Sequence, residues 1–396
     1  MPCFYRPLFL LCVAAVTLIL RANMDPPVMS MHAVIEQLSS RNSSIPAVLP
    51  SSLSIVDAWS PNSNAETGGF DWNDAKSCLC PNSSPRHSEF GLTLFKLARY
   101  EIGLNITGRN ETDEEEFVRT FFLFPPKFSI FRDPMHGNAS VIYVGDLKVA
   151  SHQIRHSLRA LGLREEELDL SSMKRKRTSP DACVITAVRD PVEHFLSGYS
   201  EHEYRTAMFA ETRGLVDEMR VRYKSHRYGE PRRFEQLVED FLADPGFFLF
   251  KKRSDELDYT KLLRHMWGQS RILTVLEGLG LNLTSYLPSI KNITEEWYEF
   301  VLESCPSAAE RVLEFRRRHN RPMEISGQHE SSKDLFHFRR AANAVWADRG
   351  PTARALCALH AIDYACFDRL PKGIHVLCAE VYSGGHFLDE IRKGCE

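Results

Sequence analysis

The sequence predicts an α/β fold: a mostly parallel sheet flanked by helices, held behind a membrane anchor and a stem. Three observations carry this expectation. Val141–Val144 and Cys183–Val188 are short continuous apolar runs, the pattern of strands buried on both faces. Helical stretches separate them, as a parallel sheet requires. One apolar leader, Leu8–Leu20, precedes a long polar segment.

In chain order, residues 1–24 form the anchor region. Leu8–Leu20 lies between Arg6 and Arg21. It is short for a full span and suits either a type II signal-anchor or the core of a cleaved signal peptide. No second run of this kind follows, so the rest is expected in a lumen or outside the cell. Sequons beginning at Asn42, Asn82, Asn105, Asn110, Asn138, Asn282 and Asn292 agree with that placement. Of the ten cysteines, Cys78, Cys80, Cys183, Cys305, Cys357, Cys366, Cys378 and Cys395 follow the leader. An even set in an oxidising compartment predicts disulfides and leaves their pairing open. Cys78 and Cys80 could be half of a metal site, but with no matching second Cys/His pair at zinc spacing they read as disulfide partners.

Residues 25–88, rich in Ser, Asn and Pro, read as a low-order stem. Residues 89–396 read as a lumenal catalytic domain. Glu89–Tyr100 is expected to be helical, with Phe90, Leu94, Leu97 and Ala98 on one face. Thr112–Glu116 is an acidic helix start leading into Phe117–Phe124. A helix is expected over Ser151–Leu161 after the first strand. Another begins at Pro191 after the second, with Asp190 as its N-cap. Ile272–Leu276 reads as a third strand. Further helices are expected at about 206–224, 232–243, 255–268, 295–304, 307–318, 332–347 and 352–366.

Hydrophobic residues make up 43% of the 396, enough for a sizeable core. Lys and Arg together number 49 against 52 for Asp and Glu, so the basic excess of a duplex-binding protein is absent and nucleic acid is not an expected partner. Basic clusters occur at Lys174–Arg177, Arg232-Arg233, Lys251–Arg253, Arg316–Arg318 and Arg339-Arg340. They read either as solvated faces or as a groove for an acidic polysaccharide.

In open α/β sheets, ligands bind beyond the carboxyl ends of the strands. After Val141–Val144 comes Gly145-Asp146-Leu147-Lys148-Val149-Ala150-Ser151-His152, a loop that enters a helix. Free N–H groups and the positive dipole end at such a start suit an anion, and Lys148 adds a full charge. The loop is not a Walker A sequence: no glycine stands directly before Lys148, and Ser151 comes three residues after it. After Cys183–Val188 comes Arg189-Asp190-Pro191-Val192-Glu193-His194-Phe195-Leu196-Ser197-Gly198-Tyr199. Asp190 and Pro191 account for a helix start. Arg189 is placed to fork onto a phosphate, and Ser197, two turns on, to donate to the same anion.

Lys148-Val149-Ala150-Ser151 resembles the 5′-phosphosulfate loop of sulfotransferases that use 3′-phosphoadenosine 5′-phosphosulfate (PAPS). The stretch from Arg189 to Tyr199 resembles their 3′-phosphate motif. Val275–Leu279 is similar to a later strand of that family, and Leu356–Phe367 to the closing helix of Golgi membrane-bound carbohydrate sulfotransferases. The resemblance implies a P-loop-like, sulfotransferase-type sheet, with PAPS as co-substrate and no metal. It implies that Lys148 contacts the bridging oxygen and 5′-phosphate. Ser151 and the N–H groups of Ala150 to His152 would cradle the phosphosulfate, Val149 lying within the same loop. Arg189 and Ser197 would hold the 3′-phosphate, and Ser331–Lys333 would fall in a segment over the cofactor.

Two positions depart from the family pattern. Leu147 stands where a proline is usual, and His152 where a threonine or serine is usual. Transfer to a hydroxyl needs a base. His152 is the first candidate for it, ahead of His156, His202, Glu201 and Glu203. The expected protein is a Golgi, single-pass type II enzyme with a carbohydrate acceptor, or a secreted form of it; protein tyrosine sulfation is a variant of the same chemistry. Two other classes compete. One is a Golgi glycosyltransferase, against which the chain has no Asp-x-Asp pair. The other is a non-catalytic lumenal binding protein on the same fold.

Overall fold

The computed structural model describes residues 70–105, 111–123, 126–134, 139–146, 149–168, 170–175, 182–208, 222–248, 263, 265–291, 293–319 and 333–396. The leader and most of the expected stem lie outside the described residues. So do the 255–262 part of one expected helix and Ser331 and Ser332. Among the described residues no helix is long and apolar enough to cross a membrane.

The elements in chain order begin with α1 (Trp72–Leu79), α2 (His87–Glu101), α3 (Glu111–Leu123), β1 (Lys127–Arg132) and β2 (Ala139–Gly145). Next come α4 (Ser151–Ala160), β3 (Arg164–Leu168), α5 (Leu170–Arg175), β4 (Cys183–Ala187) and α6 (Pro191–Met208). After them follow α7 (Pro231–Ala243), α8 (Arg271–Gly278), β5 (Ser285–Leu287), α9 (Ile293–Ser304) and α10 (Pro306–Arg318). The chain closes with α11 (Lys333–Asp348), α12 (Pro351–Leu359), α13 (Ala361–Cys366), α14 (Val376–Tyr382) and α15 (Gly385–Cys395).

The fold is α/β, but its five-stranded sheet is mixed rather than parallel throughout, in the order β3-β1-β2-β4-β5. β2 pairs parallel with β4, Tyr143 opposite Ile185, and β4 pairs parallel with β5, Ala187 opposite Leu287. β1 runs antiparallel to both β2 and β3. The mixed character comes from β1 and β3, of which β1 carries a buried run, Phe128–Phe131, and β3 does not. β1 is a short hairpin partner. β3 is the edge sequence Arg-Glu-Glu-Glu-Leu, whose carboxylates pair with Lys127 and Arg155 at 2.8 and 2.5 Å. A charged edge strand is a common way to prevent pairing with another chain.

Ile272–Leu276, expected as a third strand, is instead the middle of helix α8. Its burial follows a helical period: Ile272 and Leu276, four apart, are buried, and Val275 is not. The third parallel strand is the Ser285–Leu287 segment. Val275–Leu279, likened above to a strand, falls on the same helix and the turn after it. The expected 352–366 helix is broken at His360 into α12 and α13.

Alternation along the strands fills two layers. Val141, Tyr143 and Ile185 face α4, α9 and α10 through Ile154, Trp297 and Val312. Ile142, Val144 and Val184 face Ile272 and Leu276 of α8. A third core, built from α2, α3, α6, α7 and α12, holds Phe90, Phe121, Phe195, Phe241 and Leu356. The ordered body begins before residue 89. α1 is capped by Asp71 and buries Ala75 and Leu79. The disulfides Cys78–Cys395 and Cys80–Cys366 tie it to the C-terminal helices. Cys183–Cys305 and Cys357–Cys378 complete the pairing of all eight cysteines beyond the leader.

Candidate functional site

Two strand-end turns share one edge of the sheet. β2 and β4 are neighbours and parallel, and their register sets Gly145 level with Ala187. Adjacent strands are about 4.8 Å apart, so the loop after β2 and the turn after β4 leave the sheet side by side. Lys148 and Leu147 lie outside the described residues. Val149 is fully buried, so its side chain belongs to the core beneath the loop rather than to a ligand. Ala150 takes a left-handed conformation, φ 59°, at the entrance of α4. Ser151 donates to the carbonyl of Asp146 and accepts from the hydroxyl of Tyr143 at 3.0 Å, which closes the loop on itself. His152 is exposed on the first turn of α4.

The turn after β4 is held from several directions. Asp190 caps α6 by accepting from the N–H of Glu193 at 2.9 Å, with Pro191 in the first helical position. Its other oxygen accepts from the Tyr364 hydroxyl at 2.8 Å. Burial pushes the Asp190 carboxyl above its usual range, against these two donors. The backbone of Arg189 is bracketed by the buried Gln269 carboxamide, which accepts from its N–H at 2.9 Å and donates to its carbonyl at 2.7 Å.

The same short segment reaches the other loop. Arg271 forms a buried ion pair with Asp146. Between Gln269 and Arg271, the N–H of Ser270 donates to Asp363 at 2.7 Å, and its hydroxyl meets His87 at 2.7 Å. Residues 269–271 therefore fasten both strand-end turns to the helical core. No motif in the sequence marks them. The only local signal is a polar Gln-Ser-Arg triplet ahead of an apolar run.

A cleft of about 290 Å³ opens beside the second turn. Arg189, Glu193, Ser289, Lys291, Pro371 and Lys372 are among the side chains that line it. It lies past the carboxyl ends of β4 and β5, where open α/β sheets take ligands. Its lysines come from a loop after β5 and a loop after α13, neither of which the sequence singled out.

Along Pro191–Ser200 every residue is buried except Glu193 and Ser197, one turn apart on one face. Arg189 lies 3.5 Å from the Glu193 carboxylate. Arg339, from α11, donates to the Glu193 carbonyl at 2.9 Å. Burial and the neighbouring Arg189 charge lower its pKa to about 10.

Most of the candidate bases have structural duties. Glu203 is buried and paired with Arg233 at 2.5 Å. His202 is fully buried, and burial lowers its pKa to about 3. Glu201 pairs with Arg205 at 2.6 Å. His152 and His156 remain exposed on α4. Several basic clusters resolve into local pairs: Arg232 with Glu239 at 2.7 Å, and Arg316 with Glu299 at 2.6 Å. Lys251–Arg253 lie outside the described residues. Among the described residues no group of three or more His, Cys, Asp or Glu side chains is placed to hold a metal ion.

The cleft brings three cationic side chains, Arg189, Lys291 and Lys372, together with three carboxylates, Asp190, Glu193 and Glu296. Compared with family models, with curated proteins and with solved structures, the chain matches none.

Proposed function

We propose that the chain is a sulfotransferase that moves the sulfuryl group of PAPS to a hydroxyl of a carbohydrate acceptor. One observation carries the reading. The parallel neighbours β2 and β4 run on in the sequence to Lys148 and Arg189, and Arg189 lines a cleft with Lys291 and Lys372 as well as Asp190, Glu193 and Glu296. The acceptor oxygen forms a bond to sulfur as the bond from sulfur to the bridging oxygen breaks. The electron pair leaves with adenosine 3′,5′-bisphosphate, and the hydroxyl proton goes to a base. Lys148 would stabilise the leaving oxygen, Arg189 and Ser197 would hold the 3′-phosphate, and His152 is the candidate base. Ser151 takes a reduced part in this reading, since its hydroxyl is already bonded to Asp146. The N–H groups at the start of α4 carry the cradle instead. Eight paired cysteines behind an apolar leader fit a lumenal, type II Golgi protein.

The decisive experiment is transfer of labelled sulfate from PAPS by the full-length chain onto a panel of desulfated polysaccharides. Lys148→Ala and Arg189→Ala should each abolish transfer while thermal unfolding stays as in the wild type. Retained transfer in both variants overturns the site. Binding of adenosine 3′,5′-bisphosphate without divalent metal, and none of uridine diphosphate, separates this reading from a glycosyltransferase. Binding without transfer would leave a non-catalytic protein.

A further inference from the structure

We infer that Arg339 is a third arm of the anion site formed with Arg189 and Ser197, and that Glu193 is the internal counterion a ligand displaces. The inference rests on the proposed reading for the identity of the anion, a phosphate monoester of a nucleotide.

In an α-helix the carbonyl of residue 193 points to the N–H of residue 197. A guanidinium that donates to the Glu193 carbonyl therefore stands over the gap between Glu193 and Ser197. Those two are also the only positions between Pro191 and Ser200 that are not buried. The helix is thus open where Arg339 arrives and sealed elsewhere along that stretch.

Two cations converge on one residue. Arg189 approaches the Glu193 carboxylate at 3.5 Å, a loose contact, while Arg339 takes its carbonyl at 2.9 Å. Glu193 is the carboxylate nearest Arg189, while Asp190, which also acts on Arg339, has both oxygens engaged by the Glu193 N–H and the Tyr364 hydroxyl. Burial and the Arg189 charge both disfavour the charged state of Arg339, and an added dianion would relieve both. Forked guanidiniums and one hydroxyl suit the three oxygens of a phosphate monoester. α11 packs against α6 and buries Phe338, Ala342 and Val345, so Arg339 is presented from a fixed element rather than a loose loop.

The test compares equilibrium binding of adenosine 3′,5′-bisphosphate, adenosine 5′-monophosphate and inorganic phosphate by the full-length chain. Wild type, Arg339→Gln, Arg339→Lys and Glu193→Gln are measured, with thermal unfolding of each. Arg339→Gln should weaken the bisphosphate roughly tenfold to a hundredfold and leave the 5′-monophosphate nearly unchanged. Arg339→Lys, which keeps the charge and loses the fork, should fall between. Glu193→Gln should tighten the bisphosphate severalfold. Wild-type affinity for both bisphosphate and phosphate in folded Arg339 variants overturns the role of Arg339. Weaker binding in Glu193→Gln overturns the counterion. If the wild type binds phosphate but neither nucleotide, and Arg339→Gln loses phosphate, the anion site stands and the PAPS reading falls. If the wild type binds none of the three, both fall.

Discussion

The carboxamide of Gln269 forms a closed ring with the backbone of Arg189, accepting from its N–H at 2.9 Å and donating to its carbonyl at 2.7 Å. It does for the last residue of this strand end what a neighbouring strand would otherwise do. Gln269 is fully buried, so no water can replace it. Gln269→Leu should cost about 2–4 kcal/mol, because two buried backbone groups lose their partner. Faster amide exchange at Arg189, together with a lower denaturation midpoint, is the expected outcome. Gln269→Glu keeps the acceptor and loses the donor, and should lie between. Unchanged exchange at Arg189 in the Leu variant would show that the turn holds itself.

Arg271 and Asp146 are each about 2% exposed and form an ion pair with little access to solvent. Removing one partner leaves an uncompensated buried charge. Arg271→Met should therefore destabilise by about 3–5 kcal/mol. The double variant with Asp146→Leu should recover part of that loss, because the desolvation cost disappears with the second charge. Chemical denaturation of the four proteins in the cycle measures this. A double variant as unstable as the sum of the singles would mean the pair acts through packing rather than charge.

The two turns were legible in the sequence because each follows a strand readable as a continuous apolar run. Val141–Val144 and Cys183–Ala187 are buried on both faces, the environment that such a run fits. What positions the turns was not legible. Gln269 and Arg271 act across 80 and 125 residues of chain, and a polar residue bonding to distant backbone leaves no periodic trace. Ile272–Leu276 misled for a related reason. Five apolar-rich residues fit a strand or a helix equally well, and the i, i+4 burial that decides between them appears only once the helix packs. β3 was invisible because its stabilising partners are charges: a run of three glutamates carries no hydrophobic alternation at all.

His87 is enclosed between the Ser270 hydroxyl at 2.7 Å and the Thr274 hydroxyl at 3.0 Å, and burial holds its pKa at about 4. In the unfolded chain the same imidazole titrates near 6.5. Between those values the unfolded state binds the additional proton, so stability falls as pH drops from about 6.5 toward 4, by up to roughly 3 kcal/mol. His202 acts in the same sense and extends the window toward about 3. Asp363 adds a lower step. Burial raises its carboxyl, but the hydrogen bonds from His360 and Ser270 prevail and keep it at about 2, so its contribution is lost as pH falls from about 4 toward 2. Urea unfolding followed from pH 7 down to 4 should show a declining midpoint. His87→Gln should flatten the upper part of the decline. An unaltered slope in that variant would assign the titration to other groups.

Gly198, directly after Ser197, explains a small residue in the middle of an otherwise large-residue helix. A Cβ there would collide with the backbone carbonyl of His265 and stand 2.7 Å from Met266 Cγ. Backbone cannot rotate away as a side-chain tip can, so α6 itself has to move. Gly198→Ala should gain the usual helix propensity of about 1 kcal/mol and lose more than that to overpacking, about 1–3 kcal/mol or above. The displacement acts on the turn that carries Ser197 and Glu193. The variant should therefore weaken adenosine 3′,5′-bisphosphate binding severalfold at a temperature where it is still fully folded. If Gly198→Ala lowers the unfolding temperature and leaves binding untouched, the close approach serves stability alone, and α6 tolerates the shift without moving the anion site.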